Sequence, residues 1–436
     1  MTLRTRVADL ASLEDGPVSV GGWIETVRDQ KKVQFLVLRD ETGAVQLVRQ
    51  RPAEDDDTAA AISAMSLGSF VRVDGRLKHD ERVKLGGLEV QIESLDVVTA
   101  SEPEQPIAAD SAVDKRMDWR FLDLRHPAQQ LIFRVQTTFE HALRTWWVEH
   151  DFIEVHTPKL MASPSESRAE LFQLAYFDTV AYLAQSPQHF KQMAQAAGFG
   201  GVFEIADAFR ADPSFTARHA TEFTSVDMEV SWIDSHEDVM AIHEELIVAG
   251  FEAVREKHGE EIERLFGLTV TVPARPFPRI PLAEAKRIVA DRGYVVPRAD
   301  EDLDPEGERR IAAYVREEFG HDFVFLTDYA SNIRPFYHMR HAGDPALTHS
   351  YDLVYRGTEI STGAQREHRI DVLTAQALDK GLDPKELATY LDFFRYGIPP
   401  HGGFGMGLAR VLMLLLERPS IRETTYLFRG PNRLLP

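Results

Sequence analysis

The spacing of apolar positions changes character near residue 100. Before it, short runs alternate with period two: VSVGGWIETV, KVQFLVLRD, GAVQLVRQ, SFVRVDGRLKH and LEVQIESLDVV, each rich in Val and Leu. Turns such as Glu41-Thr42-Gly43 and Leu85-Gly86-Gly87 separate the runs, and a helical patch, TAAAISAMSL, lies between the third and the fourth. Five strands with a helix between the third and fourth follow the order of an OB-fold, a small barrel that often binds oligonucleotides. Alternation by itself fits any small β-barrel equally well.

From Ser101 to Lys115 the chain reads SEPEQPIAADSAVDK, with two prolines, small residues and acidic charge, as expected of a hinge. Beyond it the period becomes mixed. Gln129 to His150 predicts an amphipathic helix, with Leu131, Val135 and Phe139 on one stripe beside Trp146 and Trp147. FIEVHTPKL reads as extended through Pro158, and VFEIADAFR and EFTSVDMEVSW as two strands around a polar loop. A mixed stretch from Asp234 to about Pro345 precedes SYDLVYRG, and GGFGMGLARVLMLLLE closes as a glycine-rich strand entering an apolar helix. The expected organisation is an all-β barrel over residues 1–100, a hinge over 101–117 and an α+β domain over 118–436. At about 150 residues per domain, 436 residues makes two to three domains, which agrees.

Composition narrows the chemistry. The absence of cysteine removes disulfides, thiol nucleophiles and thiolate metal sites. A net charge of −20 argues against non-specific coating of nucleic acid, although a local basic patch is enough for specific binding. The opening MTLRTRVADLASLEDG has no apolar core of a signal peptide, and no run is long enough to span a bilayer, so a cytoplasmic location away from membranes is expected. His338, His341 and His349 lie among Gly, Pro and Thr without a ligand spacing, and no histidine metal site is expected there.

Chemistry concentrates between Glu222 and Trp232. Val226, Met228 and Val230 alternate as one apolar face, and Phe223, Ser225, Asp227 and Glu229 form the other. Two acids on the second face read either as a solvated sheet surface or as the floor of a polar site. Arg210 ends the preceding strand, and the intervening loop adds Arg218 and His219. Cations beside an aromatic plate suit an anionic, aromatic ligand such as a nucleotide.

FRADPSFTARHATEFTSVDMEV resembles motif 2 of the class II aminoacyl-tRNA synthetases, GGFGMGLARV resembles their motif 3, and FIEVHTPKL their motif 1. RFLDLRHP resembles the opening of the catalytic domain in the aspartyl, asparaginyl and lysyl subgroup, and QSPQHFKQM resembles the aspartyl enzymes. The resemblance covers essentially the whole chain and points to the compact archaeal and eukaryotic type. It implies a six-stranded antiparallel sheet flanked by helices, binding ATP, L-aspartate and tRNA, and a homodimer with motif 1 at its interface.

The resemblance also assigns residues. Arg210 would hold the α-phosphate and the amino-acid carboxylate, Phe223 would stack under adenine, and Arg410 would clamp its other face. Arg218 and His219 would meet the terminal phosphates, Glu222 would bond the adenine, and Gly402, Gly403, Gly405 and Gly407 would admit ATP close to the backbone. Glu359 and Thr362 would hold Mg2+, with threonine where relatives commonly carry serine; Asp352 is a weaker metal candidate. Asp212 stands where glutamate is usual, which shortens a phosphate–metal or ribose contact. Lys191 and Arg366 would grip the substrate side-chain carboxylate, Asp227 the α-ammonium, and Gln188 and Glu170 would support the ligand. Ser165 to Phe172 matches a loop that closes over aspartate, with Ser167 and Arg168 in place of two glycines.

In the barrel, Phe35 and Gln46 match positions that stack on and bond the central anticodon base, and Glu89 a further reading position, with Arg28, Lys31, Lys32 and Arg39 nearby. Strict archaeal relatives often carry a tryptophan two residues beyond the Gly-Trp pair and a lysine before the last strand. Here Glu25 replaces that tryptophan, while Lys84 supplies the lysine. The resemblance therefore implies an enzyme charging tRNA(Asp) and also tRNA(Asn), with Lys84 sufficing for strictness as the alternative. An asparaginyl enzyme is the nearest rival, disfavoured by Lys191 and Asp227. A tRNA-independent asparagine synthetase would not need the barrel, and intact Arg210, Glu359 and Arg410 argue against a non-catalytic RNA-binding paralogue.

Overall fold

A computed structural model describes residues 4–52, 54, 56–108, 110–162, 171–298 and 301–436. The chain divides into two units, residues 1–127 and 128–436. In the first, strands Gly16–Asp29, Val33–Arg39, Ala44–Gln50, Phe70–His79 and Leu88–Thr99 close a barrel in the order first, second, third, fifth, fourth. The third and fifth run parallel and the other neighbours antiparallel, so the expected OB order is the observed one. Helix Asp57–Ser63 sits between the third and fourth strands, its first turn capped by Asp56, which accepts from Ala59 N. Alternate residues, among them Val20, Leu36, Leu38, Val45, Leu47, Val71, Val73 and Val90, point inward and fill the barrel. Gly75 has no room for a side chain: a Cβ there would lie 2.2 Å from the Gln91 carbonyl oxygen, beside a bulge at Asp74/Gly75 that bends the strand. The stretch expected as a hinge holds a helix, Val113–Asp118, and Asp123 just beyond accepts from Arg116 at 3.1 Å and from Arg120 at 2.5 Å.

The second unit is built on an eight-stranded sheet. Its order is Arg279–Pro281, Phe323–Thr327, Ser350–Tyr355, Thr358–Gln365, His401–Gly407, Glu222–Ser231, Gly201–Phe209 and Ile153–Glu154. The six inner strands are antiparallel, as expected, and a short parallel strand is added at each edge. Helices Pro127–Glu149 and His236–Phe266 contribute to the core behind the sheet. The longer one starts at a capping box formed by Ser235 and Asp238 and stops at Gly267, whose φ of +70° continues no helix.

The apolar stripe of the Pro127–Glu149 helix could be covered by a second copy or within the chain, and Leu131, Val135, Phe139 and Trp147 are fully buried within the chain. Trp147 stacks on Phe203 at 4.4 Å, and Phe139 occupies the space that Gly250 leaves on the long helix. Exposed apolar side chains lie elsewhere and include Val148, Ile153, Leu160, Tyr176, Phe177 and Val180. The last four belong to a small sheet formed by Leu160–Met161, Thr179–Leu183 and Gln173–Tyr176 and to its connecting turn.

Two glycines of the same helix should respond oppositely to substitution. A Cβ at Gly250 would fall 2.4 Å from the Phe139 ring, so Gly250→Val should destabilise by about 1–3 kcal/mol or more. At Gly259 the nearest atom is 3.9 Å away, and Gly259→Ala should stabilise by up to about 1 kcal/mol. Urea denaturation of both variants checks the pair.

Candidate active site

A cavity of about 400 Å³ lies over the middle of the large sheet. On the Glu222–Ser231 strand, parity decides most of what enters it, although Thr224 also reaches the lining. Phe223, Ser225 and Asp227 line it, while Val226 and Met228 point to the opposite face and are fully buried in the core. Neighbouring strands contribute Glu359, Ser361 and Thr362 on one side and Gly405 and Gly407 on the next. The acidic face of the Glu222–Ser231 strand is thus a site floor and not a solvated surface. The glycines serve its carboxylates. A Cβ at Gly403 would meet the Glu229 carboxylate at 2.3 Å, and one at Gly405 would lie 3.1 Å from Asp227 Oδ1. Gly402 and Gly403 do not line the cavity, whereas Gly405 and Gly407 do.

At one end four charged side chains are packed together, with Asp227 4%, Glu229 0%, Lys191 3% and Arg366 3% exposed. Lys191, on helix Gln188–Ala196, donates from Nζ to Asp227 Oδ1 and to the Phe404 carbonyl, both at 3.0 Å, and sits 3.5 Å from Glu229. Arg366 donates from Nε to Glu229 Oε1 at 2.9 Å, and from Nη2 to the Gly403 carbonyl at 3.0 Å and Gln188 Oε1 at 3.3 Å. Its Nη1 lies 3.0 Å from His338 Nε2. Burial alone would raise the Glu229 carboxyl, but Arg366 and Lys191 overcome it and hold the group below its ordinary range. Burial, with Arg366 adding to it, pushes His338 well below its ordinary range, so the ring is neutral and Nε2 accepts from the arginine. Ser225 donates to Asp227 Oδ2 at 2.5 Å.

The other end is cationic. Arg210 lies 5.5 Å over the Phe223 ring. Arg410, in the first turn of helix Leu408–Leu415, donates to the Glu359 carbonyl at 2.9 Å and the Arg218 carbonyl at 3.2 Å. Arg218 pairs with Glu308 at 2.6 Å. Burial and Arg410 lower His219, whose Nδ1 is bonded by Thr216. Asp212 accepts from Ser214 N at 2.9 Å. Thr362 donates to Glu359 Oε1 at 3.2 Å. Glu359 would be raised by burial, but Arg410 and Arg334 bring it below its ordinary range, so it is an anion.

The structure therefore brings Arg210, Asp212, Arg218, His219, Phe223, Asp227, Gln188, Lys191, Glu359, Thr362, Arg366, Gly407 and Arg410 to one cavity. Glu222 is exposed and outside the lining, and Asp352 is buried beneath Arg334, which it binds at 2.6 Å. Glu170 and most of the Ser165–Phe172 segment lie outside the described residues. Lining residues Arg334, Tyr337 and His338 come from a loop without any motif, and Glu308, which reaches the cavity only through Arg218, from a helix equally without one. No spacing in the sequence points to them. Glu229 was legible, by its parity with Asp227.

On the barrel, Phe35 and Gln46 are part-exposed, outside the core that Leu36, Val45 and Leu47 fill. Gln46 Nε2 donates to Glu89 Oε2 at 3.0 Å, which sets those two candidate residues side by side. Lys84 is exposed in the turn before the last strand. The Glu25 carboxylate binds Arg39 at 2.5 Å, so part of the expected basic charge is already offset.

Removing the Glu229 charge leaves two buried cations facing one carboxylate. Glu229→Gln should cost about 3–5 kcal/mol in urea denaturation near neutral pH. Because the folded carboxyl titrates below its ordinary 4.5, the wild-type advantage is complete above that pH and falls as the solution is acidified further.

Residues 112–429 match the family of tRNA synthetases class II (D, K and N), and residues 18–98 match the OB-fold nucleic acid binding domain. The chain is 40% identical to the aspartate–tRNA(Asp/Asn) ligase of Aeropyrum pernix over 99% of this chain and 98% of that protein. It is 40% identical to the aspartate–tRNA(Asp) ligase of Pyrococcus horikoshii over 96% of each. Among solved structures, asparaginyl-tRNA synthetase from Pyrococcus horikoshii with asparaginyl-adenylate superposes with a TM-score of 0.91 at 33% identity, covering all of both chains.

Proposed function

The chain belongs to the class II tRNA synthetases of the D, K and N group, and on that footing we propose that it is an aspartate–tRNA ligase. One observation favours aspartate over asparagine, the charge balance of the groups this reading gives to the amino acid. Lys191 and Arg366 balance Asp227 and Glu229 at the buried end, and Arg210, from the cationic end of the same cavity, leaves a surplus of one positive charge. Bound aspartate, with one net negative charge, cancels the surplus; neutral asparagine leaves it. Neutral asparagine would strand one cation and not two, because Glu229 compensates the other.

In this reading Lys191 and Arg366 receive the substrate side-chain carboxylate, Gln188 and Glu170 support it, and Asp227 exchanges part of its bond to Lys191 for the α-ammonium. Arg210 places the α-carboxylate against the α-phosphorus of ATP, which stacks on Phe223 beneath Arg410. A carboxylate oxygen attacks, pyrophosphate leaves, and the 3′-terminal hydroxyl of tRNA then attacks the adenylate carbonyl and expels AMP. The protein contributes positioning and cations where negative charge moves. Arg218 and His219 meet the departing phosphates, Asp212 stands on the cavity wall beside them, and Glu222, outside that wall, would bond the adenine at its rim. Gly407 leaves the backbone open beside the nucleotide. Glu359, an anion lining the cavity with the Thr362 hydroxyl bonded to it, is a hard oxygen pair suited to Mg2+ that takes its other ligands from phosphate and water. Such an ion would neutralise charge on the phosphates.

The barrel, over residues 1–100, would read the anticodon with Phe35, Gln46, Glu89 and Lys84. The 101–117 segment would act as hinge, and 118–436 as catalytic domain. The exposed apolar residues around Ile153, Leu160 and Phe177 would meet a second copy in a homodimer. Among the described residues no helix is long and apolar enough to cross a membrane, in keeping with a cytoplasmic enzyme. Glu25, tied to Arg39, provides no aromatic plate at its position, which supports charging of tRNA(Asn) as well as tRNA(Asp).

Pyrophosphate exchange should depend on aspartate and not on asparagine, and Lys191→Met and Arg366→Leu should each abolish it while ATP still binds in equilibrium titration. Equal loss of ATP and aspartate affinity would overturn the assignment of these two side chains. Purified transcripts of both tRNAs should be aspartylated. A preference for tRNA(Asp) above about a hundredfold in kcat/KM, about 2.7 kcal/mol, would establish strict specificity instead.

A further inference from the structure

The stretch from Glu301 to Asp322 carries no motif, yet it delivers a carboxylate to the phosphate end of the cavity. Asp304 caps helix Pro305–Phe319 by accepting from Gly307 N, and Glu308 stands in the first turn, where the helix dipole favours an anion. Ile311 and Val315, one and two turns on, are buried with Val324 and Leu326 of the adjoining strand, so the helix is anchored to the sheet. Glu308 itself is 7% exposed, and its Oε2 accepts from Arg218 Nη1 at 2.6 Å.

Arg218 lines the cavity from the loop between two strands, far along the chain from Glu308. Its backbone is steadied locally, by Thr216 Oγ1 on its N–H and Arg410 Nε on its carbonyl. The guanidinium has Glu308 as its ion-pair partner, and that bond uses one of five N–H groups, leaving further donors for an anion. We propose that Glu308 is a positioning residue for the nucleotide step: its carboxylate holds the Arg218 guanidinium at the cavity wall, so that the triphosphate meets an oriented donor. The proposal rests on the ATP reading of the cavity given above. A long side chain fixed before the ligand arrives loses less freedom on binding, and a charged bond to a buried carboxylate on a packed helix fixes it well. The groups around Glu308 are Arg218, Arg410 and Glu359; burial pushes its carboxyl up to about 7 while Arg218 pulls it back, so at about pH 8 it is ionised.

The test is aspartate-dependent pyrophosphate exchange by the full chain at about pH 8, comparing wild type, Glu308→Gln, Arg218→Ala and the double variant. Glu308→Gln should raise the ATP KM roughly tenfold and leave the aspartate KM within about twofold, and in the Arg218→Ala background it should add nothing. An unchanged or lowered ATP KM, or the same increment in both backgrounds, would overturn the proposal. If Glu308→Gln melts below the assay temperature, Glu308→Asp is read by the same criteria, since it keeps the charge and withdraws the carboxylate by one methylene. Wild type without aspartate-dependent exchange would instead remove the reading of the cavity itself, which separates the two failures.

Discussion

Two carboxylates on one strand, Asp227 and Glu229, make the buried end of the cavity possible. Lys191 and Arg366 are almost wholly removed from water, and an isolated cation in such a place would be strongly destabilising. The carboxylates in turn need space, which Gly403 and Gly405 on the adjacent strand leave open. A sequence feature that reads as a place for ligand approach is thus in part a provision for charge. The same network keeps His338 neutral and acceptor-bearing, and it fixes Arg366 through Glu229, Gln188 and a backbone carbonyl. The four charges balance one another, and Arg210 at the other end of the cavity adds one positive charge that an acidic substrate would cancel.

The phosphate end is organised differently. Its cations reach into a more open space and are held by carbonyl oxygens and by single carboxylates, Glu359 for Arg410 and Glu308 for Arg218. Arg218 keeps its bond to the buried Glu308 through one N–H and has further donors on the cavity side.

The barrel obeys a simpler rule. Once alternate residues fill its interior, Phe35, Gln46 and Glu89 must face outward, because the period of a strand is two. Phe35 is therefore part-exposed and not a core residue, whereas an aromatic residue in such a strand, taken alone, reads as core filling. At Glu25 the ion pair to Arg39 adds what sequence could not supply.

The sequence by itself determined the alternating strands of the barrel and their faces, the first long helix, and those candidate site residues that sit in local motifs: Arg210, Arg218, His219, Phe223, Asp227, Glu359 and Arg410. Periodicity and fixed spacing are local properties, so a linear reading captures them. Only the tertiary structure decided that the stripe of helix Pro127–Glu149 packs against Gly250 and Phe203 within the chain, because an apolar stripe does not specify its partner. It alone brought Glu308, Arg334 and His338 to the site, since they lie in segments without a motif and meet their partners across 90, 18 and 28 residues of chain. Contacts of that range are fixed by how elements pack, and no period or spacing in the sequence encodes them.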